Sequence, residues 1–472
     1  VLALSSAPSS LDPRFATDAN GMRIIDLLFN SLVKVGPQLQ IVGDAAESWT
    51  YEKLTYSFRL RPGLEFSDNS PLTAEDIRFS FDEYRKSSNP FSSSLKSIDR
   101  VEVLEDELGF LVKLHLKEYS AKLLVSDLPA IKLLSRAAVL RESPAFSESF
   151  IGTGSFKMNK QSDTEIIIEG RPGHKWAPPK VSRVVFKIIR DDLTRYQKML
   201  RGDLDIVQND MPLNKVKIFQ EKPNEYQVFR FPGLSMTYLL FNLEDPLLKQ
   251  KSLRTAIAHG INREEIIKYK LEGFAHPASS ILTPENPYFN QKLSNPPLDV
   301  EKAREITSTI GIQQKPLIIK TANNPSTIDH ARVLAYQINN IGLKAELQSY
   351  EWGTFYGDIR KGKFQMAIMR WIGALDPDIY RIAFHSSEIP PGRNRGRYLN
   401  PKLDQLLEQG LKEADKEARV RLYQKVQQIV SHDLPIIPLW YDEQVAIVNK
   451  RVRNYEPSMN GDFSPLIYLT KQ

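Results

Sequence analysis

The stretch Phe364–Tyr380 constrains this chain most, because it joins a strand-like segment to a loop rich in functional side chains. Its first half, Phe364–Trp371, is mostly apolar and has the length of a strand buried on both faces. A glycine and a proline then end the strand. Open α/β sheets bind ligands in clefts outside their strand ends. The candidate ligand contacts are therefore Arg370, Trp371, Gly373, Asp376 and Asp378. The alternative is a tryptophan packed in the core and aspartates that cap the next helix.

Length and composition indicate a globular protein of more than one domain. A chain of 472 residues exceeds one ordinary core, which predicts two or three domains. Hydrophobic residues make up 41% and charged residues 25%, and no apolar run approaches the roughly 20 residues that span a bilayer. The sequence starts at Val1 without a signal core, so we expect that any targeting segment has been removed. The sequence leaves open whether a cysteine just upstream of Val1 carries a lipid anchor.

Cysteine content and charge exclude several classes of function. The chain has no cysteine, which excludes disulfides, thiol catalysis and cysteine-bound metals. The net charge is +6, from 63 basic and 57 acidic residues that are interspersed along the chain. A nucleic-acid-binding protein would more often carry a clustered basic stripe with aromatic residues among it. We therefore expect no nucleic-acid partner.

The chain carries no recognisable catalytic or metal-binding motif. Its seven histidines are scattered, and no two have the i, i+4 spacing that places both on one helix face. No Gly-x-Ser-x-Gly motif occurs, and a glycosidase-like carboxylate pair cannot be selected among 57 acids. We expect no enzymatic activity and no cofactor. His385, fourteen residues after Trp371, is the one metal-donor candidate, against the alternative of an ordinary surface or hydrogen-bonded histidine.

Three local patterns predict structural roles. Thr73, followed by two acids, predicts a helix start, and Asn262 with Glu265 predicts a capping box. The segment 152–154, Gly-Thr-Gly, predicts a tight crossing turn rather than a phosphate loop, since no Lys-Ser/Thr follows. Alternating strand and helix patterns over 184–207 and 317–347 indicate βαβ units and hence an α/β fold.

Many separated segments, spread over nearly the whole chain, match one family in order. The chain resembles the extracytoplasmic solute-binding proteins of ABC importers, family 5, the oligopeptide/dipeptide/nickel-binding group. The matching segments are Leu11-Asp12-Pro13, Ala46-Glu47-Ser48-Trp49, 56–68, 71–77, 152–154, Phe241-Asn242, 253–257, 261–263, Glu351-Trp352-Gly353, Trp371, 376–378 and 400–407. Asn69 and Ser155 depart from the usual Gly and Pro of the family.

The resemblance implies a periplasmic-binding-protein type II fold, with two lobes, an additional inserted domain and hinge-bending closure around a ligand. Lobe I would comprise residues 1–40, 155–238 and 440–472. The inserted domain would comprise 41–154, and lobe II 239–439. The hinge crossings would be Thr237–Asn242 and Ile436–Ala446.

The resemblance also implies a ligand site, in which one expected residue is absent. Peptide-binding members usually carry an aspartate shortly after the tryptophan, where it holds the peptide ammonium. Here residues 372–375 contain no acid, and the loop length resembles the nickel-chelate-binding branch. Trp371 would supply apolar contact, Arg370 or Arg397 a carboxylate partner, and Asp376 could replace the missing acid. The expected ligand-binding residues are Asn20, Gly21, Arg370, Trp371, Ile372, Gly373, Leu375, Asp376 and Arg397. The alternatives are a salt bridge for Arg370 and a solvated loop for Arg393, Arg395 and Arg397.

The function implied by the resemblance is capture of a peptide-like solute between two closing lobes and its delivery to the permease subunits of an ABC importer. The protein would be a periplasmic or otherwise extracytoplasmic monomer. A second hypothesis keeps the fold and replaces the peptide by a nickel chelate or another small solute. A third, from a different class, is a hydrolase of extracellular polymers, for which the sequence offers no catalytic motif.

Overall fold

The strands of the protein are numbered along the chain. The computed structural model describes residues 1–141, 150–310 and 316–472. The strands in this part are β1 Leu2–Leu4, β2 Val33–Val35, β3 Ile41–Gly43, β4 Ala46–Glu52, β5 Thr55–Leu60, β6 Ile98–Asp106, β7 Gly109–Leu116, β8 Phe156–Gln161, β9 Glu165–Gly170, β10 Arg183–Ile188, β11 Ile206–Gln208, β12 Tyr226–Phe241, β13 Ala275–Pro277, β14 Leu317–Ala322, β15 Ala345–Tyr350, β16 Met366–Trp371, β17 Ile436–Asn449, β18 Val452–Arg453 and β19 Thr470–Lys471.

The helices are numbered in the same way. They are α1 Ala19–Leu28, α2 Ala74–Arg85, α3 Arg136–Arg141, α4 Asp192–Leu200, α5 Leu213–Gln220, α6 Lys251–Gly260, α7 Arg263–Lys270, α8 Val300–Ile310, α9 Pro325–Asn340, α10 Trp352–Arg360, α11 Ile379–Phe384, α12 Pro401–Lys412 and α13 Lys416–Asp433. Short turns of other helix types occur at Ser92–Leu95, Leu123–Asp127, Leu128–Ala130, Ser386–Glu388 and Ser464–Ile467. Within the described ranges, no helix is both long enough and apolar enough to cross a membrane.

The chain divides into two compact units. Unit 1 comprises residues 1–231 and 444–472, and unit 2 comprises residues 232–443. The chain leaves unit 1 within β12 and returns to it within β17. The three-domain division expected from the resemblance stays a prediction.

The two larger sheets of unit 1 contribute to one continuous apolar core. In the first sheet β1 runs parallel to β10 and β11, and β9 and β8 continue it as antiparallel neighbours. The second sheet is antiparallel, in the order β4-β5-β7-β6. Buried residues from both sheets and from α1 and α2 pack together in this core.

Unit 2 is built around a mixed sheet. Its strands follow the order β15-β14-β16-β12-β17, and β13 also pairs with β17. β14 is parallel to β15 and β16, whereas β12 is antiparallel to β16. The βαβ pattern predicted over 317–347 is thus the connection from β14 through α9 to the parallel strand β15.

Strand β16 confirms the prediction made for Phe364–Trp371, with a start two residues later. Every residue of β16 except Arg370 is buried. Trp371 and Met369 belong to an apolar cluster that also includes Met236 and Tyr238 of β12. Since side chains alternate along a strand, Arg370 projects from the opposite face of the sheet.

Two predicted helix starts are present, one of them in altered form. Thr73 caps α2 in a reciprocal capping box with Asp76, as two acids in the first turn suggested. The Asn262 side chain accepts the Glu265 backbone N–H at 3.0 Å and so caps α7. The Glu265 carboxylate does not complete the predicted box, because it instead accepts the Gln337 amide at 3.1 Å.

The turn at residues 152–154 crosses the end of α1, as predicted. The Gly154 N–H donates to the Leu28 carbonyl at 2.8 Å, and the Thr153 hydroxyl accepts the Asn30 N–H at 3.1 Å. A side chain at position 154 would overlap the backbone of Leu27 and Leu28. Close backbone approach, and not phosphate binding, therefore explains this glycine.

Candidate functional site

The carboxyl end of β16 carries Arg370 and Trp371 on opposite faces of the unit 2 sheet. In the ladder with β12, Arg370 pairs with Thr237 and Trp371 pairs with Met236. The Trp371 ring stacks on Tyr238, with centroids 6.3 Å apart and planes 8° apart. Because adjacent strand residues face opposite ways, these two predicted ligand contacts cannot line one surface of the sheet.

Arg370 is engaged in an ion pair, which was the alternative considered for it. Its Nη2 lies 3.1 Å from Oδ2 of Asp442, and its side chain remains about half exposed. Asp442 also accepts the Trp440 indole N–H at 3.2 Å. Burial raises the pKa of the Asp442 carboxyl, and the charge of Arg370 opposes that rise. A ligand carboxylate would have to compete with Asp442 for Arg370.

On the Trp371 face, an arginine lies among three aromatic rings. The Arg395 guanidinium sits 5.1 Å from the Trp371 ring centroid and 5.2 Å from that of Tyr356. Its Nη2 donates to the Tyr356 hydroxyl at 3.1 Å. Burial raises the pKa of the Tyr238 hydroxyl to about 12, and the neighbouring charge of Arg395 opposes this. The rings hold the guanidinium by cation–π attraction.

A small pocket opens on this same face. It is lined by residues of β12, β16, α11, the loop that follows α11, and the start of β17. They are Tyr238, Leu240, Trp371, Ala383, Phe384, Arg393, Asn394, Arg395, Gly396, Tyr398, Pro435 and Ile436. This lining contains two arginines and no carboxylate. Apolar walls with a few convergent polar groups are typical of ligand sites.

The loop after β16 exposes one apolar side chain and uses the predicted glycine for its backbone. Ile372 is 70% exposed. Gly373 adopts a φ of +65°, in the left-handed region that favours glycine, and its N–H donates to the Leu234 carbonyl at 3.2 Å. Leu375 is half-buried, and its carbonyl accepts the Asn286 amide at 2.7 Å. Of these three residues, only Ile372 presents a free apolar surface.

Asp376 is committed to a buried ion pair. Arg419 donates to both of its carboxylate oxygens, at 2.8 and 3.1 Å, and both side chains are almost fully buried. Asp376 also accepts the Asp378 N–H at 2.8 Å, and Asp378 accepts from Arg381 at 3.0 Å. A ligand ammonium at Asp376 would have to displace Arg419.

Arg397 is likewise held within the protein. It is 8% exposed and donates to the carbonyls of Arg395 and Arg360 at 2.7 and 3.0 Å. Its Nε lies 3.0 Å from the Glu244 carboxylate. The solvated-loop interpretation of Arg393, Arg395 and Arg397 is therefore wrong for Arg397, which is buried, while Arg393 is exposed.

His385 does not have the partners of a metal ligand. Its Nδ1 accepts the Ser387 N–H at 3.1 Å, and its Nε2 lies 3.4 Å from the Glu408 carboxylate. Over residues 1–141, 150–310 and 316–472, no three His, Cys, Asp or Glu side chains are grouped so as to hold a metal ion. The histidine is 8% exposed and hydrogen-bonded through Nδ1, which agrees with the alternative of a hydrogen-bonded histidine.

Asn20 and Gly21 belong to unit 1, in the first turn of α1. The Asn20 amide donates to the Ser6 carbonyl at 3.1 Å. The Gly21 N–H donates to the Asp18 carboxylate at 2.8 Å, which caps the helix. The predicted ligand-binding role of these two residues stays a prediction, as does that of the other seven.

Sequence reasoning missed the aromatic partners of Arg395. Tyr356 lies four residues after Trp352, and their rings stack at 5.5 Å and 11°. Tyr238 lies in β12, within the segment Thr237–Asn242 that the resemblance implied as a hinge crossing. The i, i+4 spacing of Trp352 and Tyr356 was the available signal for the first pair. No local signal joins either residue to Arg395.

Comparisons with known proteins agree with the fold. The family described as bacterial extracellular solute-binding proteins, family 5 Middle, matches residues 40–389. Di/tripeptide-binding protein 3 of Pseudomonas aeruginosa (strain UCBPP-PA14) is 26% identical, over 97% of this chain and 92% of that protein. The structure of the ABC transporter substrate-binding protein CtaP from Listeria monocytogenes has a TM-score of 0.89 at 24% identity, covering 100% of this chain and 98% of that one. NikZ from Campylobacter jejuni, in complex with Ni(L-His), has a TM-score of 0.85 at 21% identity, covering 100% and 99%.

The fold is therefore that of a type II periplasmic binding protein, a class whose members bind solutes. The chain belongs to the bacterial extracellular solute-binding proteins of family 5. Both conclusions confirm what the sequence segments predicted. The family supports a binding role rather than a catalytic one.

Proposed function

We propose that this protein is the substrate-binding component of an ABC importer, which captures a peptide-like solute and delivers it to membrane permease subunits. It acts as a monomer outside the cytoplasmic membrane, either free in the periplasm or anchored by a lipid. Three domains with the bounds predicted from the sequence are part of this proposal.

The observation that carries the proposal is the nearly full-length similarity to a di/tripeptide-binding protein, at 26% identity. A relative that matches only a shared domain would support the fold without the ligand class. Here 97% of the chain and 92% of the relative are matched, so the similarity is not confined to one shared domain.

The geometry at β16 fits an amphipathic ligand such as a peptide. Ile372 offers an exposed apolar surface next to the strand end. The pocket on the Trp371 face adds aromatic walls and arginine side chains. Peptide-binding proteins combine such apolar pockets with charged groups that capture the peptide termini.

A second candidate is a metal chelate or another small non-peptide solute. NikZ, whose structure contains Ni(L-His), has nearly the same fold as this chain. The absence of an acid at residues 372–375 favours this candidate, because a peptide ammonium has no partner there. In such a complex the chelating molecule would supply metal ligands that the protein lacks.

Calorimetric titration distinguishes the two candidates. The purified protein is first unfolded in guanidinium chloride and refolded by dialysis, so that any bound ligand is removed. It is then titrated with dipeptides, tripeptides and longer peptides, and separately with nickel alone and nickel with L-histidine. We expect saturable binding of at least one peptide class. Binding of nickel–histidine with no response to any peptide would overturn the proposal and support the second candidate.

A further inference from the structure

Among the described residues, Arg395 differs from Arg370, Arg397 and Arg419 in its lack of an acidic partner. Arg370 pairs with Asp442, Arg397 with Glu244, and Arg419 with Asp376. In the part of the chain that the structure describes, no carboxylate lies within ion-pair distance of Arg395. A partly buried guanidinium without a counter-charge is costly, so an anion bound there would be stabilised.

The hydrogen bonds of Arg395 are also incomplete. A guanidinium has five N–H donors in a planar fork. The Tyr356 hydroxyl takes one of them, and Nε is buried without any acceptor among the described residues. Because the Nε atom has no exposed surface, an anion from outside could only reach the Nη1 and Nη2 donors of this guanidinium.

The surroundings of Arg395 hold it in place and exclude a protein carboxylate. Trp371 and Tyr356 lie within about 5 Å of the guanidinium, so its orientation is fixed by ring contacts. The second charged residue of the pocket lining is Arg393, which adds positive charge. Planar oxyanions, and carboxylates above all, match the fork of an arginine.

Three acids near the strand end, in contrast to Arg395, already have a partner of opposite charge within the protein. Asp376 is held by Arg419, Asp378 by Arg381, and Asp442 by Arg370. Each of these carboxylates would have to lose a protein cation before it could bind a ligand ammonium. Among the described residues at this strand end, Arg395 is thus an available cation, whereas Asp376, Asp378 and Asp442 already have cationic partners.

We propose that the Trp371–Arg395 pocket is a carboxylate subsite, and that it selects solutes by a free carboxylate. This inference rests on the proposed function, since the expected carboxylate is the C-terminal group of a bound peptide. The arginines expected from the sequence, Arg370 and Arg397, are then ion-pair partners within the protein.

The first test compares ligands on the unaltered protein. The strongest-binding peptide is titrated calorimetrically with a free C-terminus, with a C-terminal amide, and with an acetylated N-terminus. A charge-assisted pair contributes about 1.5–3 kcal/mol, so amidation should weaken binding about 10- to 150-fold. Acetylation should have a smaller effect. Equal affinity of the free and amidated peptides would overturn the inference while leaving the proposed function intact, whereas failure of every peptide to bind would refute both.

The second test uses two matched variants. Arg395→Gln should remove most of the difference between the free and amidated peptides, because the carboxylate loses its partner. Arg332→Gln, at an exposed arginine of the same unit that pairs with Asp329 and does not line the pocket, is the control and should keep that difference. Circular dichroism and urea unfolding establish that both variants fold. If Arg395→Gln does not fold, the ligand comparison on the unaltered protein still decides the matter.

Discussion

The Asp376–Arg419 pair allows a quantitative test of why the predicted acid is not available to a ligand. We consider Arg419→Met, Asp376→Asn and the double variant. Arg419 also donates to the Gly410 carbonyl at 2.9 Å and lies over the rings of Tyr288 and Tyr423. Burial alone would lower the pKa of Arg419, but the charge and hydrogen bonds of Asp376 raise it above the ordinary value. Arg419 is therefore expected to stay charged.

The expected loss of stability follows from the burial of the two side chains. The side chains of Arg419 and Asp376 are 4% and 5% exposed, so removing one partner leaves a nearly dry charge. Breaking a buried pair in this way costs about 3–5 kcal/mol, whereas an exposed pair contributes about 0–1 kcal/mol. The double variant removes both charges, and its cost should fall below the sum of the two single costs by about 1–3 kcal/mol.

Urea unfolding followed by tryptophan fluorescence measures these free energies. Arg332→Met is the matched control, because Arg332 pairs with Asp329 at 2.9 Å with both side chains more than half exposed. A loss below 1 kcal/mol for Arg419→Met, similar to that of the control, would refute the reasoning. Peptide titration of folded Asp376→Asn adds a separate result. If this variant keeps its stability and loses binding, Asp376 is a ligand residue as the sequence predicted.

Two further predictions concern stability away from the ligand pocket. Gly154→Ala should destabilise the protein by about 1–3 kcal/mol in urea, since the added carbon meets the backbone of Leu27 and Leu28, while Gly173→Ala, with open space around it, should have little effect. Equal stabilities of the two glycine variants would contradict the crossing-turn interpretation. Burial lowers the pKa of His330, whose ring packs at 5.1 Å on Trp440, from 6.5 to about 4. The unfolded chain then binds more protons between these values, so stability should fall by up to about 3 kcal/mol as the pH drops from 6.5 to 4. Urea unfolding at several pH values should give a shallower loss for His330→Gln and an unchanged one for His432→Gln, a mostly exposed histidine. If the free energy of unfolding falls with decreasing pH as steeply in His330→Gln as in the unaltered protein, the pH dependence comes from other groups.

The fold could be predicted from the sequence because its signals are local. The apolar run at 364–371 gives β16, and Thr73 with its following acids gives the start of α2. Ordered family segments then identify the arrangement of these elements. The Asn262–Glu265 box was only half right, since Gln337, more than seventy residues away, takes the glutamate. A cap that depends on neighbours in sequence is predictable, whereas a cap that depends on packing is not.

The sequence indicated which strand end carries the candidate site, but not which way its side chains face or which partners they have. Arg370 and Trp371 were correctly assigned to a strand end, yet adjacency in sequence puts their side chains on opposite faces of a sheet. Asp376 was proposed as the substitute acid, but its partner Arg419 lies 43 residues later, in α13. Which charge remains available to a ligand is decided by such pairings, and these become visible only when distant segments are folded together.

The charges near β16 also limit the kinds of ligand that unit 2 can recognise. Three of its carboxylates already have arginine partners, and breaking any of these pairs to bind an ammonium would offset much of the binding energy. Arg395 can bind an anion without breaking an ion pair, because the rings of Trp371 and Tyr356 keep it in position without an acid. The lack of an aspartate at 372–375 and the lack of an ion-pair partner for Arg395 among the described residues thus have the same consequence. Both shift recognition at this strand end from the cationic end of a solute towards its anionic end.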